Sequence, residues 1–264
     1  MKRKKPKKIK SIKPNRGVEL AYRKKMQTLI SEMQVDIEKE ISSLYKKQQA
    51  AMAMDAPGKR ESFAQCLSRL RERWYSRYDK AANDMARWFA ESTEKRSSYA
   101  IRRKLKEAGL TVEIVMTSKI KVVMQKAIEE NAKLIKSIPR KYLKRVQEAA
   151  KKSFEKGRDL ATFKNELKQI GDITDKRASL IARDQTDKNT QNFALVQAKE
   201  VGATQGRWLH VPGVFSSRKS HKAMNGKVFD LDKGCWDEHE QKYVKPGELP
   251  NCACQFEVII PGFE

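Results

Sequence analysis

The sequence predicts a mostly α-helical protein with a small C-terminal α+β lobe: a long N-terminal helical hairpin, further helices, and short antiparallel strands after residue 206. Three observations predict it. Apolar residues recur at intervals of three and four through most of the chain. Beyond Gly206 the texture changes to Gly, Pro, Trp and short alternating pieces. The charge is zoned along the chain, which separates a tail, a helical body and a neutral end.

Residues 1–16 carry nine Lys or Arg and no acid. The run KRKKPKKIKSIKPNR shows no apolar pattern to offset its ordering entropy, and Pro6 and Pro14 discourage helix, so a basic mobile arm is expected over 1–16. From Asn15, a candidate cap, the positions Tyr22, Met26, Leu29, Ile30, Met33, Ile37, Ile41 and Leu44 form one helical stripe. The segment ending at Gly58 breaks it, and Phe63, Leu67, Leu70, Trp74, Tyr78, Met85 and Phe89 form a second. Two long antiparallel helices follow. Trp74, Tyr78, Trp88 and Phe89 read as core aromatics rather than base-stacking platforms.

After Ser97 the pattern predicts shorter helices, roughly 98–107 and 118–136, with LTVEIVM as a possible strand. Ser137 and Pro139 start another helix that Gly157 ends. A short helix over 162–170 and a run of about 25 residues after Thr174, closed by Gly202, complete the helical part. The strand candidates are 206–211, 227–231 and 254–260. The resulting organisation is an arm (1–16), a helical domain (17–172) and a C-terminal module (173–264) made of a long helix and a β lobe.

The whole chain of 264 residues carries a formal charge of +24. Residues 17–205 hold 40 basic and 25 acidic residues, whereas residues 206–264 hold eight of each. A basic front of this kind binds polyanions by neutralising phosphates and releasing counterions, which gives salt-sensitive, sequence-independent binding. Lys2, Arg3, Lys4, Lys5, Lys7, Lys8, Lys10, Lys13 and Arg16 are the expected DNA contacts. A solubilising tail or an acidic protein partner are the alternatives. No apolar run approaches the roughly 18 residues a bilayer requires, and no secretory pattern opens the chain, so no membrane role and a cytoplasmic origin are expected.

The C-terminal lobe holds all three histidines and three of the four cysteines, Cys235, Cys252 and Cys254. Cys235, His239, Cys252 and Cys254 offer three thiolates and an imidazole to zinc, although the spacing matches no common zinc pattern and structural use is favoured. Arg218 and His221 could bind a phosphate or transfer protons in a nuclease-like enzyme. No paired carboxylate accompanies them, and Asn225-Gly226 is an ordinary hairpin signal, so catalytic residues are not assigned. No phosphate-cradling glycine loop or nucleophile elbow is present. A binding or assembly protein is favoured over an enzyme.

The stretch SSRKSHKAMNGKVFDLDKGCWDEHEQKYVKPGELPNCACQFEVIIPGF resembles the C-terminal module of phage Mu F-like head morphogenesis proteins, also called minor head or minor capsid proteins. The matching elements are Arg218 and His221, Gly226, Trp236, Pro246-Gly247 and Asn251-Cys252-Ala253-Cys254. Upstream, Arg183 and Asp184 in LIARDQTDKNTQ, together with Trp208, resemble the family's helix and first strand. Ala253 stands where the family usually has arginine, and Cys235 where it tends to have a hydrophobic residue. The resemblance implies a non-enzymatic virion protein inside the phage head. Its partners would be the portal, other head proteins and non-specific double-stranded DNA, with a role in capsid assembly or DNA packaging. Some relatives carry toxin domains fused after the module, and none is expected here after Glu264. A chromatin-like host DNA-binding protein is a further alternative that shares the charge.

Overall fold

The computed structural model describes residues 7–53, 62–155, 159–212 and 217–260. In chain order the elements are β1 (Lys7–Ile9), α1 (Arg16–Ala53), α2 (Phe63–Glu107), α3 (Ser118–Glu155), α4 (Leu160–Glu200), β2 (Gln205–Leu209), α5 (Lys219–Ala223), β3 (Val228–Asp230), β4 (Cys235–Asp237), β5 (Lys242–Val244) and β6 (Gln255–Ile260). The fold class is the expected one.

Each long helix starts on a side chain that satisfies its first free N–H groups. Asn15 Oδ1 accepts from the Val18 N–H at 3.0 Å, and Thr117 Oγ1 from that of Ile120 at 3.3 Å. Asp159 Oδ1 accepts from Ala161 and Thr162 at 2.9 and 3.2 Å. Ser62 and Gln65 form a reciprocal capping box before α2. Gly109 and Gly202, at φ 78° and 83°, end α2 and α4 in the left-handed conformation that glycine adopts without strain.

The chain forms two compact units, each built from separated segments. One comprises Tyr22–Met85 and Glu130–Ile181. Its core holds Met26, Ile30, Met33, Ile37 and Ile41 of α1, Leu70, Trp74 and Tyr78 of α2, and Ile135, Ile138, Tyr142 and Leu143 of α3, all buried. Ion pairs Arg69–Glu40, Arg73–Asp36 and Arg77–Glu32 join α1 to α2 at 3.0, 2.9 and 2.6 Å. One residue number rises as its partner's falls, so the two helices are antiparallel, as the hairpin reading requires.

The other unit comprises Met1–Ala21, Ala86–Glu129 and Ala182–Glu264. Its sheet runs in the order β1-β6-β2-β3, with every neighbour antiparallel, and β4 and β5 pair separately. Trp208, Phe229, Leu231, Phe256, Val258 and Ile260 fill the interior beside Ile101, Leu105, Ala194 and Ala198 of the helices.

Several expectations need correction. The arm is not mobile over residues 7–16: Lys7, Lys8 and Ile9 pair with Ile260, Ile259 and Val258, and α1 begins at Arg16. Ile9 and Ile12 are both 2% exposed, so two isoleucines among the lysines supply the burial that the charge pattern hid. Residues 1–6 lie outside the described part. No break follows Ser97, because Ser97 and Ser98 are buried and both bond to the Gln197 amide, at 3.1 and 2.7 Å, which satisfies polar groups that otherwise favour a helix end. LTVEIVM is not a strand but an irregular link between α2 and α3.

Pro139 does not start a helix but sits inside α3. It removes one backbone hydrogen bond, and burial of Ile135, Ile138, Tyr142 and Leu143 around it offsets that loss. The two helices expected on either side of residue 171 are one, α4. Gly171 there lies so close to Gln34 that an added Cβ would stand 2.5 Å from Nε2, and close approach rather than a helix end explains the glycine. Among the strands, β2, β3 and β6 fall within two residues of expectation, whereas β1, β4, β5 and α5 were not anticipated.

Candidate functional site

The residues that resemble family motifs converge on the sheet-bearing unit, and most of them are architectural. Trp208 sits in β2, fully buried, with its ring edge-on to His221 at 5.3 Å and to Phe229 at 6.1 Å. Gly226, at φ 81°, donates its N–H to the Trp208 carbonyl at 2.8 Å. Asn225 Oδ1 accepts from the His210 N–H at 2.9 Å, so the Asn-Gly turn clamps the end of β2. Pro246 and Gly247 are buried, and Gly247, at φ 79°, would place a Cβ 3.1 Å from Gln191 Cγ of α4. On α4, where Arg183 is half-buried, Asp184 accepts from the Asn251 N–H and fixes the turn before the Cys-x-Cys pair. Trp236 is 43% exposed and lies 5.2 Å from Tyr243 across β4 and β5.

The Arg218 guanidinium donates to the Pro250 carbonyl at 3.1 Å. His221, on α5, is 2% exposed and has both ring nitrogens turned to protein groups. Nδ1 lies 3.3 Å from Cys252 Sγ and 3.7 Å from Cys254 Sγ, and Nε2 lies 3.2 Å from Asp237 Oδ2. Among the described residues that ring is almost wholly covered, so the geometry gives no support to Arg218 and His221 as a nuclease pair.

The Cys-x-Cys pair comes together with His221 rather than with the partners expected from spacing. His221 Nδ1 and the Cys252 and Cys254 sulfurs lie within 4.8 Å of one another, all buried. Cys235 is in β4 and buried, and its thiol is pushed up by that burial. The His239 side chain is 82% exposed beside Glu240 at 3.5 Å. The four-residue set Cys235, His239, Cys252 and Cys254 is therefore split.

Sequence reasoning missed two participants. Asp237 is fully buried, with Oδ2 3.2 Å from His221 Nε2. Burial pushes its carboxyl up, but the Glu240 N–H, the Ser220 hydroxyl and the His239 N–H together bring it below its ordinary value. His210 follows the last β2–β6 pair, Leu209 with Gln255, so the register carries it to Cys254, where Nδ1 lies 3.6 Å from Sγ. A strand register extended by one residue was the available signal. Desolvation, then the charges of Lys222 and His221, lower the pKa of His210. Cys254 is drawn down to about 7, chiefly by the neighbouring Cys252 thiol and against burial, with help from the Val211 N–H, Trp208 and Arg218. The same contact pushes Cys252 up.

The expected nucleic-acid residues divide. Lys2, Arg3, Lys4 and Lys5 lie outside the described residues, as does the side chain of Lys7. Lys8, Lys10 and Lys13 are exposed. Arg16 is not available in the same way, because it is ion-paired with Glu19 and, at 3.2 Å, with Asp187. A cluster beyond the N-terminal segment was missed. Burial lowers the Lys104 pKa first, and the charges of Arg103, Lys10 and Lys13 lower it further against the pull of Glu107, so four cations share one patch. Nearby, a cleft of about 830 Å³ is lined by Lys95, Arg96, Arg102, Trp88 and Tyr99 among others. Trp88 is thus half-buried, unlike Trp74, Tyr78 and Phe89, which are core as expected. Among the described residues, no helix is long and apolar enough to cross a membrane.

Comparison with known proteins agrees with the resemblance read from the motifs. Residues 144–257 match the family model described as Phage Mu protein F like protein. An uncharacterized protein of Haemophilus influenzae is 28% identical over 257 residues, an alignment covering 94% of this chain and 54% of that protein. The chain thus spans about half the length of that relative. No solved structure matches.

Proposed function

We propose that this protein is a minor head protein acting in phage head morphogenesis, bound to the portal and other head proteins and touching packaged DNA through phosphates. The observation that carries the reading is the Phage Mu F-like match over residues 144–257, which covers the buried Trp208, His221 and Cys-x-Cys arrangement. It supports a head protein of the virion rather than an enzyme. The portal contact, a place inside the head and passage through the host cytoplasm during assembly belong to the proposal. Charge supports the DNA part: the patch of Lys10, Lys13, Arg103 and Lys104 keeps like charges together at the cost of mutual repulsion, an arrangement that a polyanion relieves.

Duplex binding measured over a salt series tests this. Each phosphate contact contributes about 0.9 to the slope of log affinity against log salt, so replacing Lys10, Lys13 and Lys104 by alanine should flatten the slope by about 2.7. Between 50 and 200 mM salt that is roughly a 40-fold smaller loss of affinity than the unaltered protein shows. A slope unchanged in the triple variant removes the patch from the interface. Affinity that scarcely varies with salt in the unaltered protein removes the DNA role altogether. Co-purification with portal or procapsid tests the head assignment separately.

A further inference from the structure

We propose that His221, Cys252 and Cys254 bind a zinc ion, with His210 completing a tetrahedral Cys2His2 site that staples α5 and the end of β2 to the turn before β6. Zinc bonds thiolate sulfur at about 2.3 Å and imidazole nitrogen at 2.0–2.1 Å, so the sulfur-to-nitrogen edges of its tetrahedron are about 3.6 Å. The observed sulfur-to-nitrogen separations are 3.3 Å from Cys252 to His221, 3.7 Å from Cys254 to His221 and 3.6 Å from Cys254 to His210. Three of the six edges are thus near that length; His210 stands outside the group whose ligand atoms all lie within 4.8 Å of one another, so its half-exposed ring turns inward to complete the tetrahedron.

The surroundings point the same way. His221 Nε2 lies 3.2 Å from Asp237 Oδ2, and Nδ1 is the ring nitrogen that faces the two sulfurs. A carboxylate behind a histidine is the arrangement that fixes ring orientation and raises ligand basicity in zinc sites. Asp237 is itself held, since Oδ1 accepts from the His239 and Glu240 N–H groups at 2.9 and 3.3 Å. Two thiolates neutralise the ion, and Arg218 on the Pro250 carbonyl stands near Cys254 to balance Asp237. Thiolate and imidazole donors favour zinc over magnesium or calcium, which take oxygen ligands. His210 is half-exposed and lies at the rim, so the ion can enter from that side. The sheet beside the site is short-stranded, and a bound ion would contribute folding free energy that its core alone does not.

The test uses the full chain. Elemental analysis of the purified protein should find a single zinc per chain that survives dialysis, and replacement by cobalt should give the visible and near-ultraviolet bands of a tetrahedral site with two thiolates. Those bands should vanish in Cys254→Ser, persist in Cys235→Ser and His239→Ala, and shift in His210→Ala. Asp237→Asn should weaken zinc binding roughly 10- to 100-fold while leaving two thiolates on the metal. Native protein that lacks metal and shows both thiols free overturns the proposal. So does a Cys252–Cys254 disulfide detected by mass, or cobalt bands that depend on Cys235 or His239 instead.

Discussion

Asp187 offers a sharp test of how this fold handles a buried charge. It lies on α4, 5% exposed, and burial raises its carboxyl to about 6 from 3.8 even though Arg16 pulls it back from 3.2 Å. Glu19 and Asp184 push it up as well, against Arg183. The native state therefore holds a proton between those two values that the unfolded chain has released. The sign follows from linkage: this group costs stability above pH 6, and the cost shrinks as pH falls through 6 and is gone below 3.8. The interval from 3.8 to about 6 corresponds to about 3 kcal/mol at neutral pH, to order of magnitude. Asp187→Asn keeps the shape and removes the charge. Urea unfolding of both proteins from pH 4 to 8 should show the variant more stable at pH 8 by up to about 3 kcal/mol, with the gap closing toward pH 4. Arg16→Ala should enlarge that cost and move the pH at which it is fully developed upward. An asparagine variant that is less stable at pH 8, or a gap that does not vary with pH, would refute the reasoning.

Other expectations follow from single contacts. Gly247→Ala forces an L residue to φ 79° with its Cβ 3.1 Å from Gln191 Cγ, and should lower stability by about 1–2 kcal/mol in thermal or chemical unfolding. Ile9→Ala should cost about 2 kcal/mol or more and raise amide exchange at Ile259, because β1 has little else apolar to hold it against β6. Trp74→Phe removes the indole donor that meets Asp36 Oδ2 at 2.7 Å and should cost about 1.5–3 kcal/mol in chemical unfolding.

The helical hairpin was legible because α1 and α2 bury one stripe each, and periodicity reports a stripe directly. Helix ends were harder to read. Ser97, Pro139 and Gly171 all signal a break in isolation, and all three were overruled by partners distant in sequence: Gln197 for the serines, a buried aliphatic surround for the proline, Gln34 for the glycine. Strand β1 was hidden since Lys7-Lys8-Ile9 is too short to show an alternation. At the Cys-x-Cys pair the chemistry was visible but the partners were not. Spacing along the chain favoured Cys235 and His239, while strand register brought His210 to Cys254 and left His239 in solvent. The cation patch joins the N-terminal segment to the end of α2, a neighbourhood no linear charge count contains.

The pairing of Lys7 with Ile260 means that the earliest strand of this polypeptide must wait for roughly 250 residues of synthesis before its hydrogen-bonding mate exists. Closure of that seam therefore needs β6, the strand that directly follows Cys252 and Cys254.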